Sequence, residues 1–175
     1  AWSAIDTGDY DKALTLSSVV LETDPDCPEA HNLRGNVLAV LGNHSRAIMA
    51  FTKAVELNPA YAEAYYFRGL SHQEMKAFKE AARDYTRAIR TGFAVAEGYN
   101  ARGASRAQCE NYRSAIRDFS TAIRMKPDFA MAWYNRGVTR ARLDWDSAHA
   151  IADLIHAKNL GCEPAQALLN KFGSN

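Results

Sequence analysis

The sequence is poor in the residues that cross-link or anchor a chain. Its 175 residues include three cysteines, an odd number without paired spacing, which argues against a disulfide framework or a zinc site. So few thiols favour a reducing compartment, and we expect a cytoplasmic protein. No apolar stretch is long enough to span a bilayer, so no membrane span is predicted. Neither a signal peptide nor an initiator Met opens the sequence, and we expect a soluble piece of a longer protein.

Catalytic motifs are also absent from the sequence. The glycines form no phosphate-binding loop, and no histidine, acid and nucleophile recur in a catalytic grouping. We therefore predict that the chain is not an enzyme and that it uses neither a metal nor a cofactor.

What the sequence does contain is a repeat. Its most regular element is an Arg-Gly pair at a fixed step of 34 residues, found at Arg34, Arg68, Arg102 and Arg136 with the glycine that follows each. A period of this length is typical of stacked helical repeats, which bury a core between neighbours and leave a long surface for a partner.

Other positions follow the same period. Each of these positions holds side chains of one size. Twelve residues after the glycine stands a small residue (Ala47, Ala81, Ala115), and sixteen after it an aromatic (Phe51, Tyr85, Phe119). Nineteen after it stands alanine (Ala54, Ala88, Ala122). This spacing predicts two antiparallel helices per unit, packed closely where the side chains are small. Pro25, Pro59 and Pro127 follow the second helix of their units, where a proline ends a helix. The histidines His31, His44 and His72 stand where other units carry aromatic or apolar residues, which indicates core histidines rather than metal ligands.

These positions together resemble the tetratricopeptide repeat, over nearly the whole chain. The resemblance implies an all-α fold, a right-handed α-solenoid of stacked antiparallel helix pairs. The predicted array is a single domain with a partial repeat at 1–27, full repeats at 28–61, 62–95, 96–129 and 130–162, and a closing helix at 163–173. The last full repeat carries a one-residue insertion around Leu143 to His149. Position 7 of the repeat departs from the family, because it holds arginine in place of leucine.

The resemblance also implies a function, which is that of a non-catalytic scaffold or adaptor. Such a protein binds an extended peptide or a partner's helix in a concave groove lined by the first helix of each repeat. The family's groove positions place eight candidate residues there: Asn32, Asn36, Tyr66, Phe67, Leu70, Asn100, Tyr134 and Asn135. Tyr66, Phe67 and Leu70 form an apolar step that helix pairing does not require and that is typical of binding anchors. The competing interpretation is that they pack against a neighbouring repeat.

One known use of this groove is not predicted. Family members that bind the C-terminal tails of heat-shock chaperones use lysine, asparagine and arginine at fixed groove positions. Only Asn36 fits that pattern here, and Glu97 has the wrong charge for it. A chaperone tail is therefore not an expected partner.

The charges are unevenly distributed along the chain. The segment 83–142 holds twelve Lys and Arg against five Asp and Glu, although the whole chain carries a net charge of only +1. Part of this arginine we assign to internal pairs, in which an arginine at position 7 (Arg68, Arg102, Arg136) meets an aspartate on a second helix (Asp84, Asp118, Asp153). The aspartate belongs either to the same repeat or to the preceding one. The rest should face outward on the convex side: Arg83, Arg87, Arg90, Arg113, Arg117 and Arg124. That patch is either a solvated face or a docking site for an acidic partner or nucleic acid, whose binding would weaken steeply with salt.

Two alternatives to peptide binding remain at this point. Nucleic-acid reading by a related helical repeat needs a period of 35 residues, whereas the step here is 34 and the first helices carry Glu29, Glu63 and Glu97 at the same position. Self-association into a homo-oligomer is the closer alternative. The truncated first repeat would expose Trp2 and Ile5 at its edge, where a second copy could stack.

Overall fold

The computed structural model describes residues 9–143 and 148–173, with side chains to residue 170. These residues form ten α-helices and no strand, in the order α1 Tyr10–Thr23, α2 Pro28–Val40, α3 His44–Leu57, α4 Ala62–Glu74, α5 Phe78–Arg90, α6 Ala96–Gln108, α7 Tyr112–Met125, α8 Ala130–Leu143, α9 Ala148–Asn159 and α10 Glu163–Gly173. Trp2 and Ile5, predicted at an exposed edge, lie outside the described residues, as does most of the segment predicted to carry the insertion.

The chain divides into two compact units. The first, Ala1–Phe93, holds α1 to α5, and the second, Ala94–Asn175, holds α6 to α10. In the first unit α2 pairs with α3 and α4 with α5, while α1 packs on α2 and α3 on α4. In the second unit α6 pairs with α7 and α8 with α9, while α7 packs on α8 and α10 on α9. The predicted all-α fold of adjacent antiparallel helix pairs is confirmed.

Close contact between a glycine and an aromatic ring explains the most regular positions of the repeat. A Cβ atom at Gly35 would lie 2.6 Å from Phe51 Cε1, and one at Gly103 would lie 2.7 Å from Phe119 Cε1. Phe51 is fully buried, so the ring cannot move aside. Side chains forced into a filled core cost about 1–3 kcal/mol, and glycine is therefore required wherever the ring presses on the opposite helix.

The turns within the first three helix pairs use one backbone conformation. Gly42, Lys76 and Glu110 are 34 residues apart and have positive φ values of 75°, 60° and 60°. The amide of the following residue donates to a carbonyl at the end of the first helix, as from Asn43 to Leu38 at 2.8 Å. This left-handed turn ends the first helix and reverses the chain into the second.

The closing helix α10 covers the end of the second unit. Ala165 is buried, and Leu168 and Leu169 pack on a core cluster built around Leu154 of α9. An apolar helix face that would otherwise meet water is covered in this way, and burial of side chains of this size contributes about 1.5–3 kcal/mol each when complete.

Candidate functional site

The two asparagines of α2 lie in the interior rather than on an open surface. Asn32 is fully buried and its Nδ2 donates to Tyr61 Oη at 3.1 Å, and Asn36 is buried nearby. Both side chains therefore offer little surface to a peptide, and Tyr61, in the turn before α4, accepts the hydrogen bond of the Asn32 amide. Their role in partner binding stays a prediction. Burial, assisted by the negative charge of Glu29, raises the pKa of the Tyr61 hydroxyl. The phenol stays protonated and can accept this hydrogen bond.

Each of these buried asparagines has one atom without a hydrogen-bond partner among the described residues. These atoms are Asn32 Oδ1 and Asn36 Nδ2. A buried amide group that lacks a partner costs about 1–3 kcal/mol, which natural cores usually avoid. The first unit therefore contains two buried polar atoms without a described hydrogen-bond partner, on neighbouring turns of one helix.

The predicted apolar step on α4 is present, but it is also part of the packing. Tyr66 stacks on Phe93 with ring centroids 4.3 Å apart and lies 5.6 Å from the Tyr85 ring. Phe67 packs on the core with its ring 6.3 Å from that of Phe51. The expectation that helix packing does not need these aromatics is thus wrong. Both are half-buried, as is Leu70, so part of each side chain is still available to a partner.

The candidate groove residues of the second unit bind each other. Asn135 Nδ2 on α8 donates to Asn100 Oδ1 on α6 at 3.0 Å, and both side chains are half-buried. Tyr134 packs on the core cluster around Leu154 and is also half-buried. A ligand on this face would meet an amide pair that has already formed one hydrogen bond, and so has fewer groups to offer.

Arginine and aspartate meet between the paired helices at three successive repeats. Arg68 Nη2 lies 2.6 Å from Asp84 Oδ1, Arg102 Nη2 lies 2.7 Å from Asp118 Oδ1, and Arg136 Nη2 lies 2.7 Å from Asp153 Oδ1. The Nε atom of each arginine donates to the other carboxylate oxygen at 2.8, 3.0 and 2.9 Å. The pairs are bidentate, which is the strongest geometry open to these groups.

Sequence reasoning missed two further partners of each pair. A base one turn along the same helix also approaches the carboxylate: Arg106 Nη1 at 2.7 Å from Asp118 and Arg140 Nη1 at 2.6 Å from Asp153, while His72 Nε2 is 3.7 Å from Asp84. An aromatic ring three residues before each arginine lies under its guanidinium at 4.7–5.4 Å; these rings belong to Tyr65, Tyr99 and Trp133. The regular spacing of three and four residues from position 7 was the available signal.

The pKa values of two bases in these pairs respond to burial. Burial lowers the pKa of the Arg106 guanidinium, although Asp118 acts against this, and the group stays charged because arginine begins so far above neutral pH. Burial likewise lowers the pKa of His72, against the opposing effect of Asp84. His72 is therefore mostly neutral at pH 7 and places an uncharged imidazole beside the carboxylate.

The six arginines predicted on the convex side are all exposed. In the first unit these are Arg83, Arg87 and Arg90 on α5, and in the second Arg113, Arg117 and Arg124 on α7. Their described contacts are local, such as Arg83 with Glu80 at 3.9 Å and Arg117 with Ser114 at 3.0 Å. Exposed contacts of this kind contribute about 0–1 kcal/mol, so these side chains are not needed for the fold.

Within the part of the chain that the structure describes, no helix is long and apolar enough to cross a membrane. The same residues contain no group of three or more His, Cys, Asp or Glu side chains placed to hold a metal ion.

Paired helices of similar length, repeated at a fixed step, define the class of helical repeat proteins. A family model described as tetratricopeptide repeat matches residues 1–61, 41–96 and 100–154. The chain belongs to the tetratricopeptide repeat family. No curated protein matches the sequence.

Several solved structures are similar to this chain. YrrB, described as a TPR protein with an unusual peptide-binding site, is 23% identical, with a TM-score of 0.84 over 96% of this chain and 86% of its own. MamA 41-end from Desulfovibrio magneticus RS-1 is 22% identical, with a TM-score of 0.80 over 94% and 92%. The second TPR domain of human RPAP3, in complex with an HSP70 peptide, is 23% identical, with a TM-score of 0.61 over 65% and 98%. These likenesses show the fold, and the family and its fold support a protein-interaction scaffold.

Proposed function

We propose that this chain is a non-catalytic adaptor that binds an extended peptide, or one helix of a partner, on the α4 face of its first unit. The half-buried apolar step formed by Tyr66, Phe67 and Leu70 carries the proposal. Residues 66 and 70, and residues 67 and 70, are one helical turn apart and so share a face. YrrB, which has the same fold, is described as having a peptide-binding site, which supports this kind of ligand.

The rigidity of the step favours binding. Tyr66 is held by Phe93 and Tyr85, and Phe67 is held by the core, so neither ring must give up much freedom when a ligand arrives. Loss of side-chain freedom costs about 0.5–1.5 kcal/mol per immobilised side chain, and aromatic anchors held in advance avoid most of it. Leu70 adds apolar area beside them. The ligand should therefore be a segment with apolar residues at helical or extended spacing.

The test is a selection from a random peptide library followed by affinity measurement. Peptides selected on the wild-type chain should bind the Leu70→Ser, Tyr66→Ala variant at least about tenfold more weakly, because the loss of apolar contact is about 1.4 kcal/mol or more. Val19→Ala is the matched control, since Val19 is an apolar side chain of the same unit that is 53% exposed. Thermal unfolding of each variant establishes that the fold is retained.

The result can count against the proposal in two ways. Peptides that bind the double variant and the wild type equally would place the site elsewhere. Peptides that lose affinity as much in the Val19→Ala variant would indicate general apolar adhesion rather than a site on α4.

A further inference from the structure

The first full repeat breaks the rule that the other three follow. In those repeats position 7 is an arginine bound to an aspartate 16 or 17 residues later, with Arg68 and Asp84 as the nearest example. Arg34 occupies the same position, but Ala50 stands sixteen residues after it. This repeat therefore has the arginine of the other repeats but not the aspartate that binds it there.

The supporting residues of the ion pair are missing as well. Leu38 takes the place of the second base, four residues after the arginine, and His31 takes the place of the aromatic ring, three residues before it. His31 Nε2 contacts Pro25 O at 2.9 Å. Among the described residues Arg34 has no hydrogen bond and no ion pair, although it is half-buried. A guanidinium in such a place ordinarily has a carboxylate beside it.

A cavity of roughly 440 Å³ opens where the aspartate would have been. It is lined by side chains from α1, α2 and α3: Leu14, His31, Arg34, Leu38, Arg46, Met49, Ala50 and Lys53. This volume falls within the range typical of ligand sites, about 300–1,000 Å³. The site is therefore large enough for a side chain of another molecule.

The lining combines positive charge with apolar surface. Lys53 forms an ion pair with Asp26, with Nζ 3.6 Å from Oδ1. Arg34 and Arg46 have no carboxylate partner among the described residues. No Asp or Glu is found among the described residues that line the cavity. Leu14 and Leu38 form the apolar part, with Met49, which is 72% exposed. A ligand that satisfies this lining carries one negative group with apolar residues next to it.

The geometry points to a docking site for an acidic peptide segment of a partner protein, whose Asp or Glu carboxylate takes the position of the missing aspartate and binds Arg34. The equivalent arginines bind carboxylates through Nε and Nη2 at 2.6–3.0 Å, and Arg34 presents the same fork. Apolar neighbours of that carboxylate contact Leu14 and Leu38. This site is separate from the proposed α4 step and uses different residues.

The first measurement is an NMR titration of the ¹⁵N-labelled chain with two blocked tripeptides. Acetyl-Leu-Glu-Leu-amide should shift the Arg34 Nε–Hε resonance in a saturable way, and acetyl-Leu-Gln-Leu-amide should bind at least about tenfold more weakly, because a charged hydrogen bond contributes more than a neutral one. The Arg34 resonance is identified by its loss in Arg34→Gln, and this variant should also lose the preference for the glutamate peptide.

A second measurement supplies the missing carboxylate within the chain. In the Ala50→Asp variant the new carboxylate should pair with Arg34 and raise the melting temperature. The affinity for the glutamate peptide should fall at least about tenfold, because the internal carboxylate occupies the site. Ala60→Asp is the control, because it adds the same charge at an exposed turn position of the same unit. It should leave both the affinity and the melting temperature close to wild type.

Several results would overturn the proposal. Equal binding of the two tripeptides would mean that the cavity is merely apolar. Unchanged glutamate-peptide binding in a folded Ala50→Asp variant would separate the site from Arg34. A shift of the Arg34 resonance by inorganic phosphate or a single-stranded oligonucleotide, without one by the glutamate peptide, would assign the site to phosphate groups instead.

Discussion

Arg102 and Asp118 form a bidentate ion pair between α6 and α7, with Nε 3.0 Å from Oδ2 and Nη2 2.7 Å from Oδ1. The two side chains are 13% and 5% exposed, so water screens the pair little. Arg106 contacts the same carboxylate at 2.7 Å. One aspartate therefore pairs with two arginines in the interior of the helix pair and offsets one of their two positive charges.

Removal of this aspartate should be more damaging than removal of either arginine. Asp118→Ala leaves Arg102 and Arg106 facing each other without a counter-charge, and we expect it to destabilise the chain by about 3–5 kcal/mol. Arg102→Ala should cost less, because Arg106 still pairs with the aspartate. Urea unfolding followed by circular dichroism measures both.

Arg113→Ala is the control for these variants, since Arg113 is an exposed arginine of α7. Its effect should lie within about 0.5 kcal/mol of zero. An Arg102→Ala variant that melts at the wild-type temperature would show that the ion pair is not a structural element.

His72 should make the stability of the chain depend on pH. Its pKa is lowered from the ordinary value of 6.5 chiefly by burial, and Asp84 only partly opposes this. The unfolded chain thus binds a proton more readily than the folded chain, so the stability is fully present above about pH 6.5 and falls as the pH drops through the lowered pKa.

The comparison that tests this is urea unfolding at pH 7.5 and pH 5.5 for wild type and His72→Gln. The loss of stability on acidification should be smaller in the variant, by up to about 1.4 kcal/mol for each pH unit below 6.5 over which the one proton is taken up. An identical pH dependence in the two proteins would contradict the burial effect.

The repeat could be predicted from the sequence because its packing joins residues at constant, short sequence separations. Phe119 presses on Gly103, and the sixteen-residue spacing that places this ring also places Asp118 opposite Arg102, so the helix pairing and the ion pairs follow from the same register. Those spacings are fixed by helix geometry together with the constant length of the turn between the two helices.

The exposure of the predicted groove residues could not be predicted in the same way. Asn32 occupies a position that the family exposes, yet Tyr61 reaches it from a turn 29 residues away, and such a contact depends on how one repeat lies on the next. Tyr66 is held by Phe93, which follows a helix end where the proline of the other repeats is replaced. Exposure at these positions is decided by turns rather than by helix periodicity. The missing partner of Arg34, by contrast, was visible in the sequence, because Ala50 interrupts the aspartate position.

The left-handed turns offer a simple route to greater stability. Lys76 and Glu110 both have φ of 60°, at the position where the first repeat uses Gly42. The Cβ atom makes this conformation costly by about 1–2 kcal/mol for most residues. Lys76→Gly and Glu110→Gly should therefore each stabilise the chain by about 0.5–1 kcal/mol, after the larger entropy of glycine in the unfolded chain is allowed for.

The control for these turns is a glycine placed where the backbone is helical. Arg83→Gly, at an exposed position inside α5, should destabilise by about 1 kcal/mol. Thermal unfolding of the three variants is sufficient. Destabilisation by Lys76→Gly equal to that by Arg83→Gly would show that the lysine is not strained in this turn.

Asn36 should respond to an apolar substitution in the opposite way from a normal buried asparagine. Its Nδ2 group is buried and has no hydrogen-bond partner among the described residues, whereas Asn100 is bonded to Asn135 at 3.0 Å. Asn36→Leu removes an unpaired donor and should stabilise the chain by about 1 kcal/mol, while Asn100→Leu breaks a made bond and should destabilise it by about 1–2 kcal/mol. The two free energies of unfolding are measured under the same conditions. Equal losses in both variants would mean that the Asn36 amide is hydrogen-bonded in solution. A gain of stability in Asn36→Leu alone would instead show that Asn36 is a polar group that destabilises the fold. Proteins retain such residues most often at positions that bind a ligand.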